Sequence, residues 1–420
     1  MNFLKAASVF YKPRLLFIVL IAFNAGFPLG AQSEDAGETI TGLVITGLRR
    51  TRLSTAERSL RKFIGLEASQ VDPDEVRAAV MATGILEPLS VEIEGPVLSV
   101  AVREKWSIFP IPVVMGGSGG LMVGLGFFDA NAFGLNDKFF LAGIYQSSGW
   151  LASAGYIHAS PEGRVPGWSG FAVFSRQERQ DHDQRGQDLR RFDLDTISIS
   201  GGLNLPLLEN TDLLSASAQF SFIQKTPRER ENAFNGPEED LRLFGASTEL
   251  AIRKSAWDGY FLSQESASLR YTYRTTFAGF SFQSLGFRGA WEKSLVPGFR
   301  FILRTGLLYE PEAPILFESS PSAAQVAILP RGFSARSYAG LSAGLEKYLF
   351  RFSAGVLSLA AAYQMVYSEG SVLGSSFDHG LTGMLSFYLS QLAIPAVGLG
   401  AAYNVKENYF QGSFSLGMSF

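Results

Sequence analysis

The chain has 420 residues, with 36 Lys and Arg against 39 Asp and Glu, a net charge of −3, and 46% hydrophobic but only 18% charged residues. That balance excludes the basic excess with which a nucleic-acid binder attracts phosphate. The lack of any cysteine excludes disulfides, zinc–thiolate sites and iron–sulfur clusters.

Residues 1–31 read as a secretory signal peptide, since Lys5, Lys12 and Arg14 precede the apolar run "LLFIVLIAFNAGF" and cleavage is expected near Ala31. This run is shorter than the roughly 20 residues a membrane helix needs, and no later stretch is long enough, so any membrane crossing falls to strands.

Residues 38–105 read as one small α/β domain in the order β-α-α-β-β. "TITGLVITG" predicts a strand, and Leu53, Ala56, Leu60 and Phe63 fall at helical spacing within Thr51–Phe63. "DPDEVRAAVMATG" predicts a second helix, with Asp72 as N-cap, Pro73 in the first turn and Gly84 at the stop. The strands "PLSVEIEG" and "PVLSVAVRE" follow, joined at Gly95-Pro96.

From Trp106 to Phe420 the pattern changes to a period of two. "SASLRYTYR" puts Ala267, Leu269, Tyr271 and Tyr273 on one face and Arg270, Thr272 and Arg274 on the other; "SASAQFSF", "FGASTELAIR" and "YFQGSFSLGMSF" keep the same rhythm. One face is rich in Phe, Tyr and Leu, while the other carries Glu249, Arg253, Arg300 and Arg304. That distribution fits a transmembrane barrel with its oily face toward lipid and a wet interior, and the length allows about sixteen antiparallel strands. "NAFGLND", "LPLLENTD" and "LVPG" are expected at the periplasmic end. "DHDQRGQDLRR", "PRERENAFNGPEEDL" and the segment from Glu312 to Ser337 are expected outside.

The chain from residue 38 onward resembles the outer-membrane protein assembly factor superfamily, in which polypeptide-transport-associated (POTRA) domains precede a surface-antigen barrel. The resemblance rests on "VREKW" at the junction, "FFDANAFGLND" at the first turn, "RGF" at Arg331, Gly332 and Phe333, and the aromatic final strand. It implies that the loop bearing "RGF" folds back into the lumen. An arginine there needs a carboxylate, and the alternation in "GLSAGLEKY" turns Glu346 inward, where the family keeps a glutamate. An Arg331–Glu346 pair is therefore expected, with Gly332 permitting a tight turn and Phe333 packing beside it. Where the family has an aspartate on the next strand as a second carboxylate, this chain has Ser368.

Pro110 and Pro112 fall in the expected first strand and lack N–H groups, so its seam with Phe414, Leu416 and Phe420 of the last strand should be incompletely hydrogen-bonded. The resemblance implies that such a seam opens and pairs with client strands. Leu98, Val100 and Val102, in "VLSVAV", are the expected client-pairing edge of the small domain, with a structural spacer as the other reading. Expected partners are unfolded outer-membrane or secreted clients, periplasmic or lipoprotein accessory subunits and outer-membrane lipid, with no nucleic acid. A two-partner-secretion translocator and a passive pore stand as alternative functions.

No enzyme, metal or cofactor is expected. "GGSGG" and "GLSAG" match G-x-S-x-G around Ser118 and Ser342, but neither precedes a helix. His158, His182 and His379 lack metal-ligand spacing.

Overall fold

The computed structural model describes residues 38–416 apart from 118–119, 159–165, 209–210, 229–234, 238, 259–260, 322–325, 354, 371–373 and 390–394. The segment expected to be a signal peptide and Phe420 lie outside the described residues, as does Ser118. The first elements are β1 (Gly42–Thr46), α1 (Leu53–Leu60), α2 (Pro73–Ala82), β2 (Leu86–Glu94) and β3 (Val97–Glu104). α2 starts where the Asp72 carboxylate accepts the Asp74 N–H at 2.8 Å, and Pro73 occupies a position whose N–H would have no helical partner. α1 is shorter than its spacing predicts, because a 3₁₀ turn takes over at Arg61–Phe63. The tighter winding brings Phe63 into the core.

In the small sheet β3 lies in the middle, parallel to β1 and antiparallel to β2. Leu98, Val100 and Val102 are buried with Ile40, Ala56, Leu60, Val76 and Val80 beneath the helices. The expectation that they form a client-pairing edge is therefore wrong. Their main-chain groups already pair on both sides, and the free edges belong to β1 and β2.

Sixteen strands follow: β4 (Ile108–Gly117), β5 (Gly120–Ala132), β6 (Asp137–Gln146), β7 (Gly149–His158), β8 (Gly167–His182), β9 (Asp188–Leu208), β10 (Thr211–Arg228), β11 (Leu241–Asp258), β12 (Phe261–Thr276), β13 (Ser281–Val296), β14 (Phe299–Tyr309), β15 (Ser337–Phe352), β16 (Gly355–Gly370), β17 (Gly374–Leu389), β18 (Pro395–Asn404) and β19 (Tyr409–Leu416). Each pairs antiparallel with its chain neighbour, and β19 returns to β4 to close the barrel. Closure gives every strand a partner on both sides, which a strand in hydrocarbon requires. The period of two sets the faces. Leu269, Tyr271 and Tyr273 stand exposed on the exterior, while Thr272 between them is buried toward the lumen. Leu250, Ile252, Phe220, Leu381 and Leu399 extend the exposed apolar exterior. Ser284, Glu292, Arg300, Glu346, Gln364 and Ser386 are buried inside. This distribution is inverted relative to a protein dissolved in water and matches one surrounded by lipid.

The connections 132–137, 208–211 and 296–299 lie at the end that carries the α/β domain, and the β8–β9, β10–β11 and β14–β15 connections lie at the other. Contrary to expectation, the β8–β9 connection is only a turn at 183–187, because β8 and β9 take up the rest of "DHDQRGQDLRR". The domain is fastened to its end of the barrel. Glu104 accepts the backbone N–H groups of Arg49, Arg50 and Thr51, at 2.9, 2.9 and 2.6 Å. Arg50 then forms an ion pair with Asp129 at the end of β5, and Asn131 donates to Thr51 Oγ1 at 2.9 Å. Gly134 lies so close to this segment that a Cβ would fall 2.2 Å from the Arg50 carbonyl. Burial pushes the Glu104 carboxyl upward, but the Thr51, Arg49 and Arg50 N–H groups outweigh it and hold the pKa below its ordinary value. "FFDANAFGLND" is thus the receptor for the β1–α1 loop.

Candidate functional site: the lumen loop and the barrel seam

The connection between β14 and β15, residues 310–336, enters the lumen instead of standing above it. Its first part packs on the wall through apolar contacts: Leu316 meets Phe192 and Leu194, and Ala313 meets Leu243 and Phe282. Lys225 of β10 reaches the Leu316 carbonyl and lies over the Phe317 ring at 4.2 Å. The loop then places Glu318 in a buried ionic cluster. Arg190 contacts Asp181 at 2.9 Å and Glu318 at 3.3 Å, Arg179 contacts Asp181 at 2.9 Å, and Arg336 lies 3.7 Å from Glu318. Arg190, Asp181 and Glu318 have side chains no more than 5% exposed, so each charge depends on its partners for the solvation it has lost.

The tip carries Arg331, Gly332 and Phe333. The Gly332 carbonyl accepts the His182 N–H at 3.1 Å, and Phe333 forms a parallel bridge with His182 of β8. β8 and β15 lie seven strands apart around the barrel, so the loop crosses the lumen from wall to wall. A Cβ on Gly332 would fall 2.1 Å from His182 Nδ1 and 2.3 Å from the Gln180 carbonyl. The tip does turn tightly, with the Phe333 N–H donating to the Pro330 carbonyl at 2.9 Å, and it is the close approach to β8 that requires glycine. Phe333 is buried with Val326, Ile328, Leu329, Ala335, Tyr338 and Val366, in keeping with a packing role.

The expected Arg331–Glu346 pair is absent. Glu346 does face inward, but it receives Arg300 Nη2 at 2.7 Å, Ser358 Oγ at 2.6 Å and Tyr388 Oη at 3.0 Å. Arg300 also contacts Glu292 at 2.9 Å, and Arg304 contacts Glu292 at 2.7 Å. The physical reason is register: Arg300 and Glu346 are direct cross-strand neighbours on β14 and β15, so the guanidinium reaches the carboxylate without any loop. Arg331 is exposed in the lumen and forms no ion pair with the described residues. It lines a cavity of about 730 Å³ together with Arg300, Glu346 and Gln411.

At the seam, β19 and β4 are in register through Ser413–Gly117 to Leu416–Val114 among the described residues, which end at 416. Pro110 and Pro112 lie in β4 opposite Phe127 and Leu125 of β5, and neither has an N–H to offer a neighbour. Phe414 and Leu416 lie in the paired segment of β19.

Solved structures share this fold. BamA from Haemophilus ducreyi lacking POTRA domains 1–3 superposes with a TM-score of 0.66 at 15% identity, over 92% of this chain and 86% of that one. CdiB from Acinetobacter baumannii gives 0.61 at 12% identity over 91% and 74%, and CdiB from Escherichia coli 0.53 at 12% over 92% and 93%. At such identities the likeness is one of fold. Comparison with family models and with curated proteins finds no match.

Sequence reasoning missed Glu318, Asp181, Arg190, Gln364 and Gln411. Glu318 was visible as an acid within the long loop, directly after an apolar "ILF" that must itself find cover. Ser342, in the second G-x-S-x-G match, lies within β15 and accepts from Gln364 at 3.2 Å. It has no nucleophile-elbow geometry.

Proposed function

We propose that this protein is an outer-membrane barrel that assists the insertion, assembly or translocation of other proteins, with its α/β, POTRA-like domain in the periplasm. The observation that carries the reading is the seam: a sixteen-strand wall closed by its first and last strands, with two prolines in the first strand that offer no N–H to a neighbour. Unpaired strand edges template pairing with other strands. A machine that handles unfolded strands uses the property that other barrels suppress. The free energy comes from the client, whose backbone groups gain partners as it folds.

The small domain contributes through β2, not β3. β2 is an edge strand with Leu89 exposed, and an extended client could add to it by β-augmentation. A passive pore fits less well, because the ordered loop spans the lumen that solutes would need.

Depletion of the protein followed by profiling of the outer-membrane proteome tests the proposal. Assembly activity predicts loss of several barrels, and loss of one secreted protein identifies a translocator. Unchanged protein content with altered solute uptake would overturn both readings in favour of a pore.

A further inference from the structure

The loop and the seam are joined by a side chain that neither motif contains. Within the loop, Ala327 is held on both sides. Its N–H donates to Gln364 Oε1 of β16 at 2.7 Å, and its carbonyl accepts from Gln411 Nε2 of β19. The same Gln411 amide also donates to the Leu329 carbonyl at 2.8 Å. Gln364 is steadied in turn by Ser342 of β15. One side of this strap belongs to the ordinary wall, and the other belongs to the last strand, two residues before its first pair with β4 at Ser413.

The last hairpin is also held at its outer turn. Arg185 of the β8–β9 turn contacts Glu407 at 2.8 Å, and the Tyr409 ring lies against Gly186. β8 thus anchors both the "RGF" tip, through His182, and the neighbouring turn that grips the hairpin. Gln411 lies on β19 itself, two residues from the register with β4 that begins at Ser413, so contacts made inside the lumen act on the strand that closes the wall.

We propose that Gln411 is a positioning residue through which the docked lumen loop holds β19 in register with β4. When the loop tip leaves β8, the strap moves with it, and β19 becomes free to exchange β4 for an incoming strand. The inference rests on the proposed use of the seam and adds how its opening is controlled: loop docking and seam closure are one equilibrium, coupled at the Gln411 amide. The donor is the essential feature, since two carbonyl oxygens face it. A carboxylate of the same shape would be repelled there, and an ammonium could replace the donor.

The test uses the cysteine-free chain in lipid vesicles, with Gly116→Cys and Phe414→Cys placed at a registered seam pair. The initial rate of disulfide formation reports seam closure. Gln411→Glu is expected to lower that rate roughly 30-fold, from the loss of two hydrogen bonds. Gln411→Lys should return it to within about twofold of the parent. Retained heat-modifiability on gels shows that each variant is folded. Gly332→Ala, which disturbs the loop at β8 far from β19, must lower the same rate. An unchanged rate in Gln411→Glu, or in Gly332→Ala with a demonstrably undocked loop, overturns the coupling. Client assembly is scored separately with the disulfide formed. If the closed disulfide abolishes assembly while Gln411→Glu leaves the seam unchanged, the coupling alone fails. If the closed disulfide leaves assembly intact, the seam reading fails first.

Discussion

Replacing Gly332 by alanine should undock the lumen loop. The new Cβ would lie 2.1 Å from His182 Nδ1 and 2.3 Å from the Gln180 carbonyl, where ordinary contact begins at 3.4 Å. Rotation of His182 relieves only the first clash. The second is with backbone of β8, held by its pairing with β9 at Gln180–Arg191, so the tip must lift by about 1 Å. Lifting breaks the bond from the His182 N–H to the Gly332 carbonyl and uncovers Phe333, now 2% exposed. Burying a phenylalanine is worth about 1.5–3 kcal/mol and the hydrogen bond about 1 kcal/mol, so tip docking weakens by roughly 2–4 kcal/mol. The Glu318 cluster keeps the rest of the loop inside. With Ser334→Cys as reporter in the cysteine-free chain, labelling by a water-soluble maleimide should accelerate by roughly 30-fold or more, given a factor of ten per 1.4 kcal/mol. A labelling rate within twofold of the parent would refute the close-approach reasoning.

Other substitutions separate the roles of neighbouring groups. Arg331→Ala should change the same labelling rate by no more than about twofold, as for other surface positions, because Arg331 is exposed and unpaired with any described residue; acceleration matching that of Gly332→Ala would restore Arg331 as the anchor. Glu104→Ala removes the acceptor for three backbone N–H groups and should loosen domain docking by about 2–4 kcal/mol. Electron–electron distances between spin labels at Arg77 and at Lys138 should then broaden, and an unaltered distribution would contradict the fastening. Hydrogen bonding to Arg185 holds the Glu407 carboxyl below its ordinary 4.5, against burial that raises it. A depressed folded-state pKa means that the contact contributes fully above about pH 4.5 and is lost as pH falls through the lower folded value. A spin label at Lys406 should keep its mobility from pH 8 to 5 and gain mobility only below about pH 4.5; a transition near neutrality would assign the contact elsewhere.

Much of the fold was legible because the period of two survives in the backbone. "SASLRYTYR" sorts its residues to lipid and lumen as read, and Asp72-Pro73 starts a helix because the local chemistry of capping suffices. What failed was non-local. β3 was read as an edge from the end of its domain, yet strand order depends on which partner arrives, and the last strand inserts beside the first. Glu346 was correctly turned inward, but its partner was set by the β14–β15 register, which places Arg300 directly opposite. The "RGF" motif marked the tip of the loop without revealing its restraints. Those are Glu318 among buried charges and two glutamines whose significance appears only when loop, β16 and β19 are brought together.

The central claim, that the β4–β19 junction opens to work on other chains, is tested most directly by closing it covalently. Cells whose sole copy carries Gly116→Cys and Phe414→Cys should lose client assembly or secretion when the disulfide forms and recover it on reduction, while either single cysteine leaves it intact. Undiminished client output from a fully oxidised seam would contradict the account.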